Sequence, residues 1–343
     1  MSTSRPLTVL MSFPRPRATT NPYIVQLHDA LTGLPDVQVL PFSYRAAFTR
    51  RIDLFHAHWP ESLISGRSRP KDAVRQALYL LLLARLALTR SPIVRTLHNI
   101  GLPTGLSRTQ RLLLRLTERR TRAVIVLNPL TPVRPGLPVA RISHGHYRDW
   151  FAPFPRPATV PGRITYAGWV RRYKGVDDLV AAFVATEDAD LSLRVCGHPS
   201  SVELGTGLQP LAAADPRVEL CLRHLDDGEL VAELAAAELV VLPYRFMHNS
   251  GASLAALSVG TPVLVPDNPV NRLLAAEVGA GWVHLFDDTL TPQTLTSTLA
   301  AVRAAPPGAA PDLSARSWEG AGDAHRRLYR VALGRPAQPG GEP

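Results

Sequence analysis

The stretch LVVLPYRFMHNSGASLAALSVGTPVLVPD at positions 239–267 decides the fold of this chain. Residues 239–242 form a continuous apolar run, which is typical of a parallel strand that is covered on both faces. The Asn-Ser-Gly sequence at 249–251 then predicts the start of a helix of small residues that ends at Gly260, before a second buried strand. The first amides of such a helix carry partial positive charge and suit a phosphate group. The alternative is an ordinary strand–helix–strand unit in which the serine and the glycine only cap the helix.

Length and composition indicate a soluble globular protein with two domains. The chain has 343 residues, of which 45% are apolar and 19% are charged. The nearest candidate for a membrane span, 77–88, is interrupted by Arg85, so no spanning helix is predicted. Cys196 and Cys221 form no C-x-x-C motif, and no signal peptide is visible. These features predict a reducing cytoplasmic location and argue against a zinc site.

Charge is distributed unevenly along the chain. Residues 1–160 contain 23 basic and 7 acidic side chains, whereas residues 161–343 contain 15 and 21. This polarity predicts that the first half faces an anionic surface. Nucleic acid is not expected, because only 6% of the residues are aromatic and no nucleic-acid-binding module is visible. The inner leaflet of a membrane is the favoured partner. The alternative is that the basic first half only reflects an arginine-rich composition that is general in the genome.

Two arginine-containing helices in the basic half allow two interpretations. Residues 72–90 place apolar side chains almost all round a predicted helix, and a second helix is predicted at 108–120. Such a helix lies either in the protein core or on lipid, where its arginines pair with anionic headgroups. The core position is the preferred prediction for 72–90. The hypothetical docking surface would use Arg75, Arg85, Arg90, Arg108, Arg111 and Arg115.

The first predicted strand, 7–11, is followed by a polar loop and by a helix that begins near Tyr23. In open α/β sheets, ligands bind where a strand ends and the next helix begins. Thr20, Asn21 and Tyr23 are therefore candidate ligand-binding residues. The fingerprint G-x-G-x-x-G is absent from this loop, so the sequence predicts no dinucleotide site there.

Histidines accompany two further predicted strands of the first half. His56 and His58 lie on one face of the third strand because side chains alternate along a strand, and Glu61 follows at its carboxyl end. His98 follows the strand at 93–97 and is expected at the same edge of the sheet. A metal site is not predicted, because no third or fourth ligand stands nearby. We interpret His56 as structural, whereas His58, Glu61 and His98 are placed to meet a ligand.

A proline-rich segment at 151–162 predicts a boundary between two domains. Beyond it, a strand, a basic loop and a helix follow over 163–185. A basic, glycine-bounded loop between a strand and a helix is typical of an anion site, and its cations are Arg171, Arg172 and Lys174. A later strand ends at Gly197, which is a further candidate at the same edge.

Five segments resemble motifs of the group 1 glycosyltransferases, which have the GT-B fold. The first half contributes DLFHAHWPE at 53–61 and RTLHN at 95–99. The second half contributes YAGWVRRYKGVDDLVAAF at 166–183, DDGELVAELAAAELVVLPYR at 226–245 and NSGASLAALSVGTPVLVP at 249–266. They occur in the order and spacing of that family over nearly the whole chain. The NSG-type segment resembles bacterial exopolysaccharide enzymes, some of which are β-mannosyl- or glucuronosyltransferases that use lipid-linked acceptors.

The resemblance implies an α/β fold of the GT-B type, with two Rossmann-like, doubly wound domains that face a cleft. It implies an acceptor-binding domain at 1–155 and a nucleotide-sugar donor domain at 156–310. A C-terminal helix at 311–333 is expected to cross back to the first domain. We expect residues 334–343 to form a disordered tail.

The resemblance also implies roles for individual residues. Lys174 matches the family lysine that contacts the donor diphosphate. The family also has an arginine after the first glycine of this loop, but this chain has Trp169 there, so we assign the role of that arginine to Arg171. The amides of Ser250 and Gly251 match the second diphosphate contact. The remaining candidates are Gly197, His248 and Asn249 on the donor side and Thr20, Asn21 and Tyr23 on the acceptor side.

One departure from the family concerns its Glu-x7-Glu pattern. Counting back from the Gly-Thr-Pro sequence at 260–262 places the two glutamates at Met247 and Ala255, so neither is present. Without them the resemblance does not decide between retention and inversion. An inverting transfer needs a base for the acceptor hydroxyl, and the candidates are His98, Glu61 and His58.

The predicted function is transfer of a hexose from a GDP- or UDP-sugar to a glycan or polyprenyl-linked acceptor in cell-surface or exopolysaccharide synthesis. Cations and the amides at the start of the helix would stabilise the negative charge of the leaving nucleotide, so no metal and no cofactor are expected. The protein is expected in the cytoplasm, bound peripherally to the inner face of the plasma membrane. Two alternatives stay open: a nucleotide-sugar epimerase of the same architecture, and a catalytically inactive GT-B-like partner protein.

Overall fold

The computed structural model describes residues 5–17, 20–66, 68–102 and 105–335. Of the tail expected to be disordered, residues 336–343 lie outside the described residues. The strands in chain order are β1 (Leu7–Met11), β2 (Val37–Leu40), β3 (Leu54–Ala57), β4 (Ile93–Leu97), β5 (Thr121–Val126), β6 (Val139–Arg141), β7 (Arg163–Ala167), β8 (Ser192–Cys196), β9 (Val218–Cys221), β10 (Leu239–Val241), β11 (Val263–Pro266) and β12 (Val283–Phe286).

The helices connect these strands and cover the sheets. In chain order they are α1 (Pro22–Thr32), α2 (Tyr44–Thr49), α3 (Glu61–Ile64), α4 (Arg69–Leu88), α5 (Arg108–Arg120), α6 (Arg148–Phe151), α7 (Val176–Val184), α8 (Val202–Ala213), α9 (Asp227–Ala235), α10 (Gly251–Val259), α11 (Pro269–Val278), α12 (Pro292–Ala304) and α13 (Ala321–Ala332). The deciding stretch at 239–267 forms β10, α10 and β11, as its pattern predicts.

Contacts between Cα atoms divide the chain into two units. Unit 1 contains residues 1–145 and 317–343, and unit 2 contains residues 146–316. The division falls before the boundary expected at 155, because the short helix α6 packs against α9 and α10 of unit 2. Helix α13 belongs to unit 1, where it packs against α1 and against strands β4, β5 and β6.

The sheet of unit 1 has the strand order β2-β1-β3-β4-β5-β6, and neighbouring strands are parallel. Strands β1 and β3 are buried along their whole length, as expected for strands with helices on both faces. The strand order reverses between β1 and β3, because β2 is added on one side and β4 to β6 on the other. The carboxyl ends of strands at such a switch point are where open α/β sheets bind ligands.

The sheet of unit 2 has the order β12-β11-β10-β7-β8-β9 and is also parallel throughout. Its order reverses between β7 and β10, which pair with each other in the middle of the sheet. The basic loop at 168–175 follows β7, and the residues that lead to α10 follow β10. Both candidate diphosphate contacts therefore come from the switch point of this sheet.

Helix α4 differs from the preferred prediction of a core helix, because it has two apolar faces. Val74, Leu81 and Leu88 on one side are 58%, 57% and 86% exposed. The opposite side packs into the core of unit 1 through Tyr79, Leu82, Leu83 and Leu86. A helix of 20 residues that is apolar almost all round has more apolar surface than one neighbouring layer covers. It is therefore both a core element and an exposed apolar surface.

Helix α8 lies in a segment for which the sequence analysis predicts no element, and it contains two poor helix formers, Gly205 and Pro210. The helix begins at a capping residue, Ser201, whose Oγ accepts a hydrogen bond from the Leu204 amide. Gly205 allows a close approach, since a Cβ atom there would lie 3.2 Å from the side chain of Pro199. Capping and tertiary packing thus override the low intrinsic helix propensity of this segment.

Candidate functional site

Two glycines hold the basic loop of unit 2 against the neighbouring strand end. Gly168 has a φ of +139°, and Gly197, directly after β8, has a φ of +147°. A Cβ atom at Gly197 would lie 1.8 Å from the carbonyl oxygen of Gly168, so a side chain does not fit there. The structure therefore gives Gly197 a role in shaping the loop, and its contact with a donor stays a prediction.

Arg245, two residues after Pro243 at the end of β10, braces the same loop. Its amide donates a hydrogen bond to the Tyr173 carbonyl at 2.8 Å, and its guanidinium donates to the Arg172 carbonyl at 2.6 Å. The guanidinium also pairs with Asp177 and Asp178 in the first turn of α7, at 3.0 and 2.7 Å. The basic loop is thus tied to the central strand beside it.

Lys174 is a half-buried cation that has no carboxylate partner among the residues described. Its Nζ lies 4.7 Å from the centroid of the Tyr244 ring, which supplies a cation–π contact. Burial lowers the pKa of Lys174 to about 8, and the positive charge of Arg171 adds to this effect. Arg171 is exposed and its guanidinium lies 5.9 Å from the Trp169 ring centroid. This pair of cations is suited to bind a polyanion, because an anion would relieve their mutual repulsion.

The start of α10 offers a second contact for an anion. Ser250 is the N-cap, and its Oγ accepts a hydrogen bond from the Ser253 amide at 3.2 Å. The hydroxyl of Ser253 is fully buried and lacks a hydrogen-bond partner within the part of the chain that is described. Buried polar groups normally have a partner, so this hydroxyl indicates a place for one more polar group. A phosphate oxygen fits, since the amides of Gly251 and its neighbours begin the helix there.

The positions of the two family glutamates are filled by uncharged, packed side chains. Met247 accepts a hydrogen bond at Sδ from the side-chain amide of Asn271 at 3.3 Å, and Ala255 is buried in α10. His248 and Asn249 lie between them in sequence and are half-buried. Burial lowers the pKa of His248, so at neutral pH both are uncharged candidates for contact with the donor sugar.

In unit 1, His98 lies directly after β4, and aromatic side chains pack against its ring. Its ring stacks on Trp59 with 3.9 Å between centroids, and Tyr23 meets it edge-on at 5.5 Å. Its Nε2 lies 3.1 Å from Nδ1 of His58, so the two rings share a hydrogen bond. Burial, followed by the effect of His58, holds the pKa of His98 well below its usual value. His98 is therefore a neutral, half-buried imidazole that can accept a proton.

The other two histidines of the first half lie deeper. His56 is fully buried and is bonded at both ring nitrogens, to Tyr329 Oη at 2.7 Å and to Thr96 Oγ1 at 2.8 Å, which confirms its structural role. His58 is only 3% exposed, and burial lowers its pKa to about 3. This burial corrects the expectation that the His58 side chain meets a ligand, because the ring of Phe13 packs against it at 5.5 Å.

Glu61 is the first residue of α3 and is half-buried. Burial raises the pKa of its carboxyl group, and the positive charge of Arg95 opposes part of this shift. Its carboxylate makes no salt bridge with a basic side chain of the described ranges. Because β3 and β4 are neighbours, Glu61 and His98 follow strands that end at the same edge of the sheet. Glu61 thus stays a second candidate base.

The three acceptor-side candidates have local structural roles. The Oδ1 atom of Asn21, the N-cap of α1, accepts a hydrogen bond from the Tyr23 amide at 2.9 Å. The Oγ1 atom of Thr20 accepts one from the Arg17 amide at 2.8 Å. Tyr23 is 3% exposed and its ring packs edge-on against His98. Contact of Thr20, Asn21 and Tyr23 with an acceptor stays a prediction.

Sequence reasoning missed several residues that pack against the candidate site residues. The missed residues of unit 2 follow β10 or lie in the first turn of α10, and this position after a strand end was a usable signal. The missed residues on α13 are separated from β3 by more than half of the chain, and no local sequence pattern links α13 to β3. The missed residues are Tyr244, Arg245 and Ser253 in unit 2 and Trp59, His325 and Tyr329 in unit 1.

Comparisons with known proteins place the motifs in a family. The model of the family "Glycosyl transferases group 1" matches residues 161–295. A GDP-mannose:glycolipid 4-beta-D-mannosyltransferase of Xanthomonas campestris pv. campestris is 45% identical over 330 residues, which cover 96% of this chain and 93% of that protein. A second curated protein of the same name and organism is 44% identical over the same shares.

Solved structures of low sequence identity share the fold. HepE of Anabaena in complex with UDP-glucose aligns with a TM-score of 0.60 at 14% identity, over 96% of this chain and 94% of that chain. The catalytic domain of starch synthase IV from Arabidopsis thaliana, bound to ADP and acarbose, aligns with a TM-score of 0.62 at 12% identity, over 97% and 100%. These likenesses concern the fold alone, and they confirm the predicted α/β fold of the GT-B type.

Proposed function

The chain belongs to the group 1 glycosyltransferases, and from this premise we propose that it transfers mannose from GDP-mannose to a glycolipid with formation of a β linkage. Identity of 45% over nearly the whole chain with a protein named for that reaction supports the choice of substrates. The observation that carries the chemistry is a half-buried lysine without a carboxylate partner, at the switch point of unit 2. In this proposal unit 2 binds the donor and unit 1 binds the acceptor.

The donor diphosphate is proposed to bind at the carboxyl ends of β7 and β10. Lys174 and Arg171 follow β7, and the start of α10 at Ser250 follows β10, so both contacts come from neighbouring strands. When the sugar leaves, negative charge develops on the departing GDP. Two cations and the helix-start amides are placed to stabilise this charge, and donor binding would hold Lys174 in its charged form.

The acceptor hydroxyl is proposed to lose its proton to His98. Formation of a β linkage from the α-linked donor requires inversion at the anomeric carbon. The acceptor oxygen forms its bond to that carbon while the bond to the phosphate oxygen breaks, and GDP leaves with the electron pair. His98 can take the proton because it is neutral, half-buried and oriented by Trp59 and His58. Glu61 is the alternative base.

The reaction is proposed to need no metal ion, because Arg171, Lys174 and the α10 amides supply positive charge to the diphosphate. Within the described ranges, no group of three or more His, Cys, Asp or Glu side chains could hold a metal. The test is activity after dialysis against EDTA, with and without added Mg²⁺. A large stimulation by Mg²⁺ would contradict this part of the proposal.

The glycolipid acceptor is proposed to be reached from an anionic membrane surface, on the inner face of the plasma membrane. We define the α4–α5 surface by the exposed residues Val74, Leu81 and Leu88 of α4 and Arg108, Arg111 and Arg115 of α5. The two helices pack against each other, so these exposed apolar and basic side chains come from neighbouring elements of unit 1. Such a combination suits the headgroup region of a bilayer. No helix among the described residues is both long and apolar enough to span a membrane.

A depression beside this surface adds positive charge on the acceptor side. It is lined by Ser65, Gly66, Lys71 and Arg75, and lies at the start of α4. The guanidinium of Arg75 is bonded to the Ser65 carbonyl, which fixes one of the two cations. Phosphate groups bind such paired cations, so this depression is a proposed contact for a lipid headgroup or for the phosphates of a polyprenyl-linked acceptor.

The experiment that tests the proposed function combines binding and transfer. The purified protein is titrated with GDP, UDP and ADP, and is then incubated with GDP-mannose and a panel of polyprenyl-diphosphate-linked oligosaccharides. We expect GDP to bind most tightly and a β-mannosyl product to be identified by NMR. Binding of UDP alone would contradict the donor assignment. Conversion of GDP-mannose without an acceptor would favour an epimerase, and binding without any conversion would favour an inactive partner protein.

A further inference from the structure

We propose that the aromatic ring of Phe246 binds the sugar of the donor by packing against the face of the hexose ring. This inference rests on the proposed function, because it assumes that unit 2 binds GDP-mannose. Phe246 belongs to unit 2 and lies on the segment that leads from β10 to the start of α10. The proposed role is recognition of the sugar, whereas the basic loop and the start of α10 bind the diphosphate.

Exposed aromatic side chains are confined to two loops of unit 2. Among the residues that the structure describes, the most exposed Phe, Tyr and Trp side chains are Trp169, Tyr173 and Phe246, at 50%, 41% and 81%. The first two follow β7, and the third follows β10. These strands pair at the switch point of the sheet, where open α/β sheets bind ligands. Single exposed apolar residues are ordinary, but the confinement of the aromatic ones to this edge indicates a ligand.

Phe246 differs from the other two aromatic residues because no ring or cation packs against it. The Trp169 ring lies 5.4 Å from that of His198, between centroids, and the Tyr173 ring meets that of Tyr244 edge-on at 6.1 Å. Phe246 makes no ring or cation–π contact with any side chain in the described ranges. Its ring is therefore available to a ligand without displacement of another side chain.

The chain on both sides of Phe246 is tied to neighbouring elements. Before it, the amide of Arg245 donates a hydrogen bond to a carbonyl oxygen of the loop after β7 at 2.8 Å. After it, the carbonyl oxygen of Met247 accepts a hydrogen bond from Nδ2 of Asn268 at 3.2 Å, and its Sδ accepts one from Nδ2 of Asn271 at 3.3 Å. The ring is thus carried by a fixed segment, so little conformational freedom is lost when a ligand packs on it.

The way in which the sugar is attached brings it close to this segment. In a nucleotide sugar the hexose is bonded to the outer phosphate, for which Lys174 and the start of α10 at Ser250 are the proposed contacts. Lys174 Nζ lies 4.7 Å from the centroid of the Tyr244 ring. Phe246 is two residues after Tyr244 and four before Ser250, and such stretches span at most about 7 and about 14 Å. The segment that carries Phe246 therefore connects the two diphosphate contacts and lies within reach of the sugar.

The chemistry of this segment suits a neutral sugar. Residues 243–250 contain no Asp or Glu, and their one arginine, Arg245, is paired with Asp177 and Asp178. Burial lowers the pKa of His248, so this side chain is uncharged at neutral pH. The C–H groups of a hexose carry slight positive charge and pack against the negative face of an aromatic ring. A neutral hexose can therefore pack on Phe246 without leaving an unpaired charge.

The direct test compares two ligands of the full-length protein that differ by the sugar alone. Calorimetric titration gives the Kd of GDP and of GDP-mannose for the wild type and for Phe246→Ala. We expect the variant to bind GDP as the wild type does and to bind GDP-mannose roughly fivefold to tenfold more weakly, which is the size of one aromatic contact. An unchanged Kd for GDP-mannose, or an equal rise for both ligands, would overturn the inference. A wild type that does not bind GDP would overturn the proposed function itself.

Two further variants separate the aromatic face from apolar bulk. Phe246→Trp keeps an aromatic face, whereas Phe246→Leu keeps an apolar side chain and removes the ring. We expect Phe246→Trp to bind GDP-mannose within about twofold of the wild type, and Phe246→Leu to bind it as weakly as Phe246→Ala. Wild-type affinity in Phe246→Leu would show that the ring is not needed and would overturn the inference.

The controls test for a structural role and for a role in membrane binding. Leu211→Ala removes an apolar side chain that is 38% exposed on α8, and it should change neither Kd. Because Phe246 is exposed, Phe246→Ala should leave the melting temperature and the co-sedimentation with phosphatidylglycerol-containing vesicles unchanged. A lower melting temperature would assign the ring to the stability of the fold, and a loss of vesicle binding would assign it to a lipid surface. Either result would overturn the inference.

Discussion

The Nζ atom of Lys174 lies 4.7 Å from the centroid of the Tyr244 ring, and this contact joins the two halves of the unit 2 sheet. Lys174 follows β7 and Tyr244 follows β10, the two strands between which the strand order reverses. The aromatic face stabilises the ammonium without neutralising it, and burial lowers its pKa to about 8. The site therefore has a cation whose charge is satisfied only when an anion binds.

Replacement of Lys174 by Met removes this charge and keeps the length of the side chain. A hydrogen bond to a charged group contributes about 1.5–3 kcal/mol, so we expect kcat/KM for GDP-mannose to fall roughly ten- to hundredfold. The ammonium is charged below pH 8, so GDP affinity of the wild type should fall as the pH rises above about 8. In the variant this pH dependence should disappear. Calorimetric titration with GDP between pH 7 and 9.5 measures both effects.

A suitable control for Lys174→Met is Arg223→Met. This variant removes a cation of unit 2 that is paired with Glu229 at 2.6 Å on the surface. We expect its affinity for GDP to equal that of the wild type. Equal GDP affinities of Lys174→Met and the wild type at pH 7 would contradict the role of Lys174.

Arg245→Met tests whether the hydrogen bonds and ion pairs of Arg245 hold the basic loop at 168–175 in place. The side chain is bonded to the Arg172 carbonyl and to the carboxylates of Asp177 and Asp178, so its loss frees the loop that carries the cations. We expect the donor KM to rise several-fold and kcat to change less, because the lost binding affects ground state and transition state alike. Arg272→Met, which breaks an exposed pair with Asp267 at 2.5 Å, should leave the donor KM unchanged.

Local patterns were sufficient to place the strand ends that carry the candidate sites. The apolar run at 239–242 and the Asn-Ser-Gly start predicted β10 and α10, and the glycine-bounded loop predicted the position of Lys174. These features depend on neighbours in sequence and on the general rule that ligands bind at switch points. They therefore need no knowledge of how distant segments pack.

Burial and long-range partners could not be predicted in the same way. Alternation predicted that the side chains of His56, in β3, and of His58, directly after it, lie on one side of the sheet, but it did not show that α13 packs on that side. The hydrogen bond between His56 and Tyr329 joins residues 273 positions apart, which no spacing rule connects. Likewise, α8 was not predicted, and it forms despite Gly205 and Pro210 because propensity is a weak guide when capping and packing oppose it.

The buried histidines of unit 1 predict a loss of stability in mild acid. Burial lowers the pKa of His56, His58, His98 and His325 below the value of about 6.5 for the unfolded chain. Below that pH the unfolded chain binds protons that the folded protein does not, so the free energy of unfolding falls as the pH falls. For His325, with a pKa of about 4, the loss between pH 7 and 5 is up to ~2 kcal/mol.

His325→Phe should reduce this acid sensitivity. Urea unfolding of the wild type and the variant at pH 7 and pH 5 gives the difference in the free energy of unfolding, which we expect to be smaller in the variant by up to ~2 kcal/mol. His224→Gln, at an exposed position of unit 2, serves as the control and should retain the wild-type difference. An unchanged pH dependence in His325→Phe would show that this ring is protonated as readily in the folded protein as in the unfolded chain.

A last prediction concerns the α4–α5 surface and separates the contribution of its positive charges to vesicle binding from that of its apolar side chains. Arg111→Gln combined with Arg115→Gln removes two cations, and each is worth about 1 kcal/mol at an anionic surface, so vesicle binding should weaken roughly thirtyfold at low salt. Leu81→Gln combined with Leu88→Gln should weaken the binding that persists at about half molar salt, where charges are screened. Co-sedimentation with phosphatidylglycerol-containing vesicles measures both, with Arg156→Gln plus Arg223→Gln in unit 2 as the charge-matched control. Binding that resists both salt and the arginine changes would contradict electrostatic docking, because screening acts on exposed charges whatever the apolar contacts contribute.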